Sequence, residues 1–255
     1  MKIKGCLLAL SIAGALLVSC SKEQEKPAVE TSSVKSEPAA PPAQSDSTQG
    51  KGTISGKIIF KGSYKPGILT IGKDKEVCGA SKTDPALLVG AQGEVKNAVI
   101  QIAGSAGKSA PDKEAVLDQA KCEYVPHVLA ISAGTTVKIR NNDGILHNVH
   151  TFSNINSPFN KAQPKYLKEF EHTFEKPEYI SVKCDVHGWM SGWIVVTEKA
   201  HFTVSGADGV FQLADVPLGE HTVEVWHETL GNQTQKVKVA AKESANVLFE
   251  FSGKK

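Results

Sequence analysis

The 255-residue sequence has almost no surplus of charge of either sign: 29 Lys and Arg stand against 27 Asp and Glu, and part of the excess lies in the first few residues. That balance excludes the basic footprint of a nucleic-acid binder and gives no reason to expect a strongly charged partner. The N-terminal apolar run, 7–18, is too short and too early to span a membrane. Helical periodicity is scarce, with few apolar patterns longer than two turns, and no internal repeat stands out beyond generic strand spacing. Residues 21–50 contain no aromatic side chain; they are rich in Ser, Glu, Pro, Ala and Gln. Such a stretch cannot bury enough apolar surface to fold. It reads as a linker with a root-mean-square span of roughly 30 Å, stiffened where Pro27, Pro38, Pro41 and Pro42 fall.

What precedes the linker has a clear pattern. Lys2 and Lys4, the apolar run, and Leu17-Val18-Ser19-Cys20 together make an export signal. The Leu-x-small-Cys ending resembles a bacterial lipobox, which implies a mature chain that begins at Cys20 with its sulfur bound to lipid. The alternative is an ordinary cleaved signal peptide with an incidental cysteine. By the same resemblance Ser21, where Asp would favour the inner membrane, points to the outer one. Residues 1–20 are therefore expected to be a lipoprotein signal peptide and 21–50 a tether that holds an extracytoplasmic, periplasm-facing body to the membrane.

About 205 residues remain, enough for one large or two small domains. From Gly50 on, short alternating apolar segments separated by turn residues predict an all-β fold. The expected strands are 53–60, 98–102, 127–131, 135–140, 147–151, 169–174, 178–183, 192–197, 202–204, 210–213, 219–227, 235–239 and 245–251. Asn141-Asn142-Asp143-Gly144, Asp208-Gly209 and Pro217-Leu218-Gly219 supply turns, through tolerance of positive φ or a fixed φ. Two stretches, 110–119 and 154–167, stay open between helix and loop, since neither has a convincing cap and apolar stripe.

The most informative segment is Val182-Lys183-Cys184-Asp185-Val186-His187-Gly188-Trp189-Met190, with a thiol, an imidazole and a thioether within seven residues at a strand end. All three are soft or borderline ligands. Two imidazoles, a thiolate and a weak axial thioether serve both copper oxidation states, and the missing imidazole stands some 37 residues upstream in Leu146-His147-Asn148-Val149-His150. Taken alone, Cys184 could be a buried structural or disulfide cysteine, but that leaves His187 and Met190 unexplained. His150, three residues from His147, points to the other face of a regular strand and is not expected to bind the same ion. His127 and His172 read as strand or packing residues.

The two motifs, with Ala133-Gly134-Thr135-Thr136-Val137 and Asn141 before them, resemble the small blue copper proteins (cupredoxins), most closely amicyanin with its short Cys-to-His-to-Met loop. The resemblance covers about residues 113–197. It implies a Greek-key β-sandwich holding one type 1 copper through His147, Cys184, His187 and Met190, with Asn148 supporting the thiolate through hydrogen bonding. It departs from amicyanin at Gly188-Trp189, where no proline stands; Trp189 is left to cover the metal edge, shape a docking surface or pack inward. With Cys6 removed in the signal, Cys20 lipidated and Cys184 on metal, Cys78 and Cys122 remain to pair.

Residues 198–255 have a different texture. Their Phe202-Thr203-Val204-Ser205-Gly206-Ala207-Asp208-Gly209-Val210-Phe211 and Val216-Pro217-Leu218-Gly219-Glu220-His221-Thr222-Val223 resemble the carboxypeptidase regulatory-like, or transthyretin-like (prealbumin-like), β-sandwich. The strands that normally open such a domain occur earlier, as Gly56-Lys57-Ile58-Ile59-Phe60 and Asn97-Ala98-Val99-Ile100-Gln101-Ile102. A smaller sandwich split by the 113–197 insertion is therefore one expectation, and an independent 51–112 segment beside a separate C-terminal module is the other. The combination resembles a group of secreted bacterial proteins labelled methylamine utilisation proteins. His201, His221 and His227, near Trp226, are read as surface and packing residues, with a second metal or docking site as the alternative.

The resemblance implies a one-electron carrier between exported redox partner proteins, with the tether supplying reach. It implies no catalytic machinery; an oxidase or reductase would add a second copper type with a further histidine cluster. Copper delivery, buffering or sensing at the cell surface is the first alternative, and a metal-free interaction module the second.

Overall fold

The computed structural model describes residues 50–105, 112, 114–241 and 243–253. The expected export signal, Cys20 and the expected linker up to residue 49 lie outside these residues. The described residues open with β1 (Lys51–Lys61), β2 (Ile68–Thr70), the one-turn helix α1 (Lys75–Cys78), β3 (Ser81–Thr83) and β4 (Val99–Ile102). Next come β5 (Ala115–Ala120), β6 (Glu123–Val125), β7 (Val128–Ser132), β8 (Thr135–Asn141), β9 (His147–Phe152), β10 (Asn160–Gln163), β11 (Glu169–Phe174), β12 (Glu178–Lys183) and β13 (Ser191–Thr197). The last strands are β14 (Phe202–Val204), β15 (Val210–Pro217), β16 (Gly219–His227), β17 (Gly231–Val239) and β18 (Ser244–Ser252). The protein is all-β, as alternation predicts, and every expected strand forms.

One pair of sheets is built from both ends of the chain. β1 lies between β15 (antiparallel) and β18 (parallel), and the facing sheet runs β14-β4-β16-β17. Alternate residues of each turn inward: Ile54, Ile58 and Phe60 from β1, Phe211 and Leu213 from β15, and Val223 and Val225 from β16 meet in a shared core, the period-2 burial of a sandwich. Strands before residue 103 therefore pair with strands after residue 201.

The intervening residues form the second pair of sheets, β10-β9-β12-β13-β7 and β11-β8-β5-β6. Leu117, Val137, Ile139, Val149, Phe174, Ile180, Val182 and Ile194 fill the space between them. Parallel pairing of β7 with β13 and of β5 with β8 marks strands joined by long crossovers rather than hairpins. Among the described residues the two open stretches hold no helix. Ala115 and Leu117 alternate into the core in β5, and 160–163 pairs with β9 as β10.

The sandwiches meet along a seam of Val99, Val128 and Val195, flanked by Trp193 and Trp226. β13 is thus covered on both faces, which is why Trp193-Ile194-Val195-Val196 reads as an unbroken apolar run instead of an alternating one. His127 closes one end of the seam. It pairs with Glu228 through Nε2 and with the Ser191 carbonyl at 3.1 Å, while the Trp193 indole donates to the other Glu228 oxygen at 2.8 Å.

Candidate metal centre

Two short segments at one end of the second sandwich build the site. The first is the turn 141–144 into β9. Asn141 is fully buried; its amide donates to the carbonyls of Ile145 and Gln163, each at 2.8 Å, and its side-chain oxygen accepts the Asp143 N–H at 3.2 Å. Gly144 takes a φ of 72°, a conformation that costs glycine little. The chain therefore enters β9 with His147 pointing in and Asp143 folded back against it. The second segment is the β12–β13 loop, closed by Cys184 N–H to the Met190 carbonyl at 3.2 Å and Met190 N–H to the His187 carbonyl at 2.8 Å.

Folding brings the donors together. The ligand atoms of His147, Cys184 and His187 all lie within 4.8 Å of one another, and all three residues are buried. The two Nδ1 atoms are 2.9 Å apart, and His187 Nδ1 is 3.9 Å from Cys184 Sγ. Metal–nitrogen bonds of about 2 Å put two donor nitrogens roughly 3–3.5 Å apart, so one ion fits the set after a shift of a few tenths of an ångström. Met190 is buried on the same loop, only 1% exposed. A thiolate, two imidazoles and a thioether are the donors that copper takes in a trigonal site with a weak axial ligand.

Asn148 ties the two segments. Its backbone N–H points to Cys184 Sγ at 3.5 Å; its side-chain oxygen takes the N–H of Asp185 at 2.6 Å and of Val186 at 3.2 Å, and faces the thiol at 3.3 Å. Its amide nitrogen donates to Asn160 at 2.7 Å and Asp185 at 3.1 Å.

The outer nitrogen of each imidazole meets a carboxylate: His147 Nε2 is 2.8 Å from Asp143, and His187 Nε2 is 2.8 Å from Asp74. With the outer nitrogens so engaged, each Nδ1 is left facing the thiol. Burial by itself lowers the His147 pKa, yet the hydrogen bond to Asp143 and the nearby Cys184 outweigh it and raise it to about 8. Burial likewise pushes the Cys184 thiol up, but the His147 imidazole and the N–H groups of Asn148, His187 and Val186 hold it below the ordinary thiol range. His187 is shifted down, chiefly by burial. The pocket thus shifts the thiol toward thiolate, the form that binds metal.

Cys78 and Cys122 form the disulfide, with an S–S distance of 1.99 Å, and Cys184 is free. His150 lies outside the donor set, stacked on Phe152 and 3.1 Å from Asp185. His172 packs against Phe159 and Phe174. His227 bonds the Lys96 carbonyl and His221 the Pro217 carbonyl, and neither they nor His201 joins a donor cluster among the described residues. Trp189 packs on His187 with ring centroids 5.0 Å apart. Asp143 and Asp74 are the site residues that sequence reading missed. Asp143 stood in a turn four residues before His147, a proximity too common among turn aspartates to mark it; Asp74, 113 residues from His187, left no signal in the sequence.

Sheets and donors together define a cupredoxin-like β-sandwich. No family model and no curated protein matches this chain. Among solved structures it is similar to a copper-containing nitrite reductase from Thermus scotoductus, 24% identical over 38% of this chain and 25% of that one, with a TM-score of 0.32. It is also similar to a purple cupredoxin from Nitrosopumilus maritimus, 26% identical over 33% of this chain and all of that one (TM-score 0.28), and to an amicyanin variant, 23% identical over 38% and 98% (TM-score 0.31). The chain thus spans only a quarter of the nitrite reductase.

Proposed function

We propose that this protein holds one type 1 copper ion through His147, Cys184, His187 and Met190 and carries single electrons between extracytoplasmic redox partner proteins. The observation that carries the reading is the convergence of His147 with Cys184 and His187 in one buried cluster from separate strand ends. Copper supplies a one-electron change of oxidation state at such a set. The chain does the rest. Asp143 and Asp74 orient the imidazoles, Asn148 fixes the cysteine loop against β9, and the buried surroundings keep water off the donors. A carrier must change charge without moving its ligands, and a loop fastened by this many hydrogen bonds meets that need.

The sequence adds the setting. A lipid on Cys20 and the 21–50 tether would hold the body at the outer membrane on its periplasmic side while leaving it free to search for partners. No catalytic role is proposed.

The test is visible absorption of the purified soluble body after addition of Cu(II), beside a Cys184→Ser variant. We expect an intense thiolate-to-copper band that the variant loses, and a reversible one-electron potential. A colourless wild type that binds only Cu(I) and gives it up readily would move the assignment to copper delivery. A melting temperature unmoved by copper would leave an interaction module, since metal that binds only the native state must stabilise it.

A further inference from the structure

Residues 68–83 leave the first sandwich as an arm. β2 and β3 pair antiparallel, and the loop between them, closed by Ile71 N–H to the Ala80 carbonyl at 3.1 Å, reaches the donor set. Three anchors hold it there: Ile71 is buried in the second sandwich's core, Cys78 is cross-linked to Cys122, and Lys82 pairs with Glu123 at 3.1 Å. Asp74 stands between the first two anchors with a φ of 50°, a region that aspartate enters more readily than most side chains. Its carboxylate meets His187 Nε2 at 2.8 Å. The His187 side chain is 0% exposed, whereas that of Asp74 is 43% exposed. The carboxylate therefore stands between the imidazole and solvent. Leu69, Lys82 and Thr83 of the arm line a cavity of about 330 Å³ together with Tyr124 and Trp189. Asp74 is thus presented by a loop pinned on both sides, by Ile71 before it and by Cys78 and Lys82 after it.

We propose that Asp74 is a positioning residue that also seals the donor set: it fixes the His187 ring with Nδ1 toward Cys184 and bars external reagents and ligands from the thiol. The role given to this seal rests on the reading of His147, Cys184 and His187 as metal donors, while the seal itself belongs to the chain alone. A sealed set lets electrons pass but slows the exchange of ligands or metal. That separates a carrier from a delivery protein, and the selecting group comes from a segment outside the sandwich that supplies the donors.

The experiment follows alkylation of Cys184 by iodoacetamide in the metal-free full-length protein, read by mass spectrometry of the Cys184 peptide. Wild type is compared with Asp74→Ala, Asp74→Asn and Glu76→Ala, the last an exposed position on the same arm. Asp74→Ala should react faster by about tenfold or more, as expected when a hydrogen bond to a charged group is removed from a local opening equilibrium. Asp74→Asn, which keeps an acceptor, should fall between, and Glu76→Ala should match wild type. Unfolding midpoints check that each variant folds; if Asp74→Ala does not, the Asn variant decides. Equal alkylation rates in wild type and the folded Asp74 variants would overturn the proposal. After Cu(II) loading, loss of copper to a chelator should speed up in the same order. A wild type that retains no copper would remove the metal reading, while the alkylation rates would still decide the seal.

Discussion

Asn148→Ala is the sharpest test of how the site is held. The side-chain amide makes contacts to two stretches of chain: its oxygen takes the N–H groups of Asp185 and Val186, and its nitrogen donates to Asn160 and Asp185. Truncation leaves two backbone donors without partners. An orphaned donor costs about 1–3 kcal/mol when water cannot reach it. Asp185 is exposed and its N–H can rehydrate, whereas Val186 is half-buried, so a total of about 1–3 kcal/mol follows. For a chain of this size that lowers the melting temperature by roughly 2–12 °C. The backbone N–H of residue 148, which reaches Cys184 Sγ at 3.5 Å, survives the substitution. The variant should therefore still bind copper and keep its thiolate band, with a shifted maximum. Urea unfolding of the metal-free protein gives the stability, and Cu(II) titration gives the band. Asn148→Asp separates packing from charge, since it keeps the shape but puts a carboxylate oxygen about 3 Å from Asp185 Oδ2. Asp185→Asn should rescue that variant and not Asn148→Ala. If Asn148→Ala stays within about 0.5 kcal/mol of wild type, the range of an ordinary surface change, Asn148 does not fasten the loop.

Removing the disulfide as Cys78→Ala/Cys122→Ala, which opens a cross-link of sequence separation 44, should cost about 4 kcal/mol on the chain-entropy model; a loss under about 1 kcal/mol in denaturant unfolding would contradict it. Glu178 gives a pH dependence. Burial alone would raise its pKa, but hydrogen bonds from the Ser153 hydroxyl, the N–H groups of Asn156 and Asn154, and the Asn156 side chain pull it from the ordinary 4.5 to about 2. Because the folded value is the lower one, the stabilisation is full above the ordinary carboxylate range and is lost as pH falls toward about 2. Glu178→Gln should therefore be less stable than wild type at neutral pH, with the difference shrinking in acid. A constant difference from neutral pH down to acid would refute the assignment.

Strand alternation carried most of the fold, because in a sandwich with one dry face per sheet the period-2 pattern and the burial pattern are the same thing. Where that identity fails, the sequence was harder to read. β5 places Asp118 and Gln119 after Leu117, and the fully buried Gln119 is inside because its amide donates to the Arg140 carbonyl and to Gln163. A buried polar residue whose amide N–H groups find distant partners looks, along the chain, like a loop residue. The candidate metal donors stood out for the opposite reason. Sulfur and imidazole at a short, fixed spacing are rare enough to be noticed without knowing what surrounds them, whereas aspartates are common in turns and carry no such mark.

The two missed aspartates are linked through one place in the structure. Asp143, which orients His147, accepts the backbone N–H of Cys122 at 2.7 Å. Asp74, which orients His187, sits at the start of α1, and α1 ends at Cys78. The Cys78–Cys122 bond therefore joins the support of one imidazole to the support of the other, although the donors themselves lie on β9 and the β12–β13 loop. Each carboxylate holds its ring by one 2.8 Å contact, and such contacts orient a ring only as well as the backbone behind them is fixed. Loss of the disulfide should then do more than relax the unfolded chain. It should free Asp74 and speed alkylation of Cys184 toward the rate of Asp74→Ala, even when compared at matched global stability. A chain-entropy effect alone predicts no such change, because it acts on the unfolded state and leaves the native site as it was.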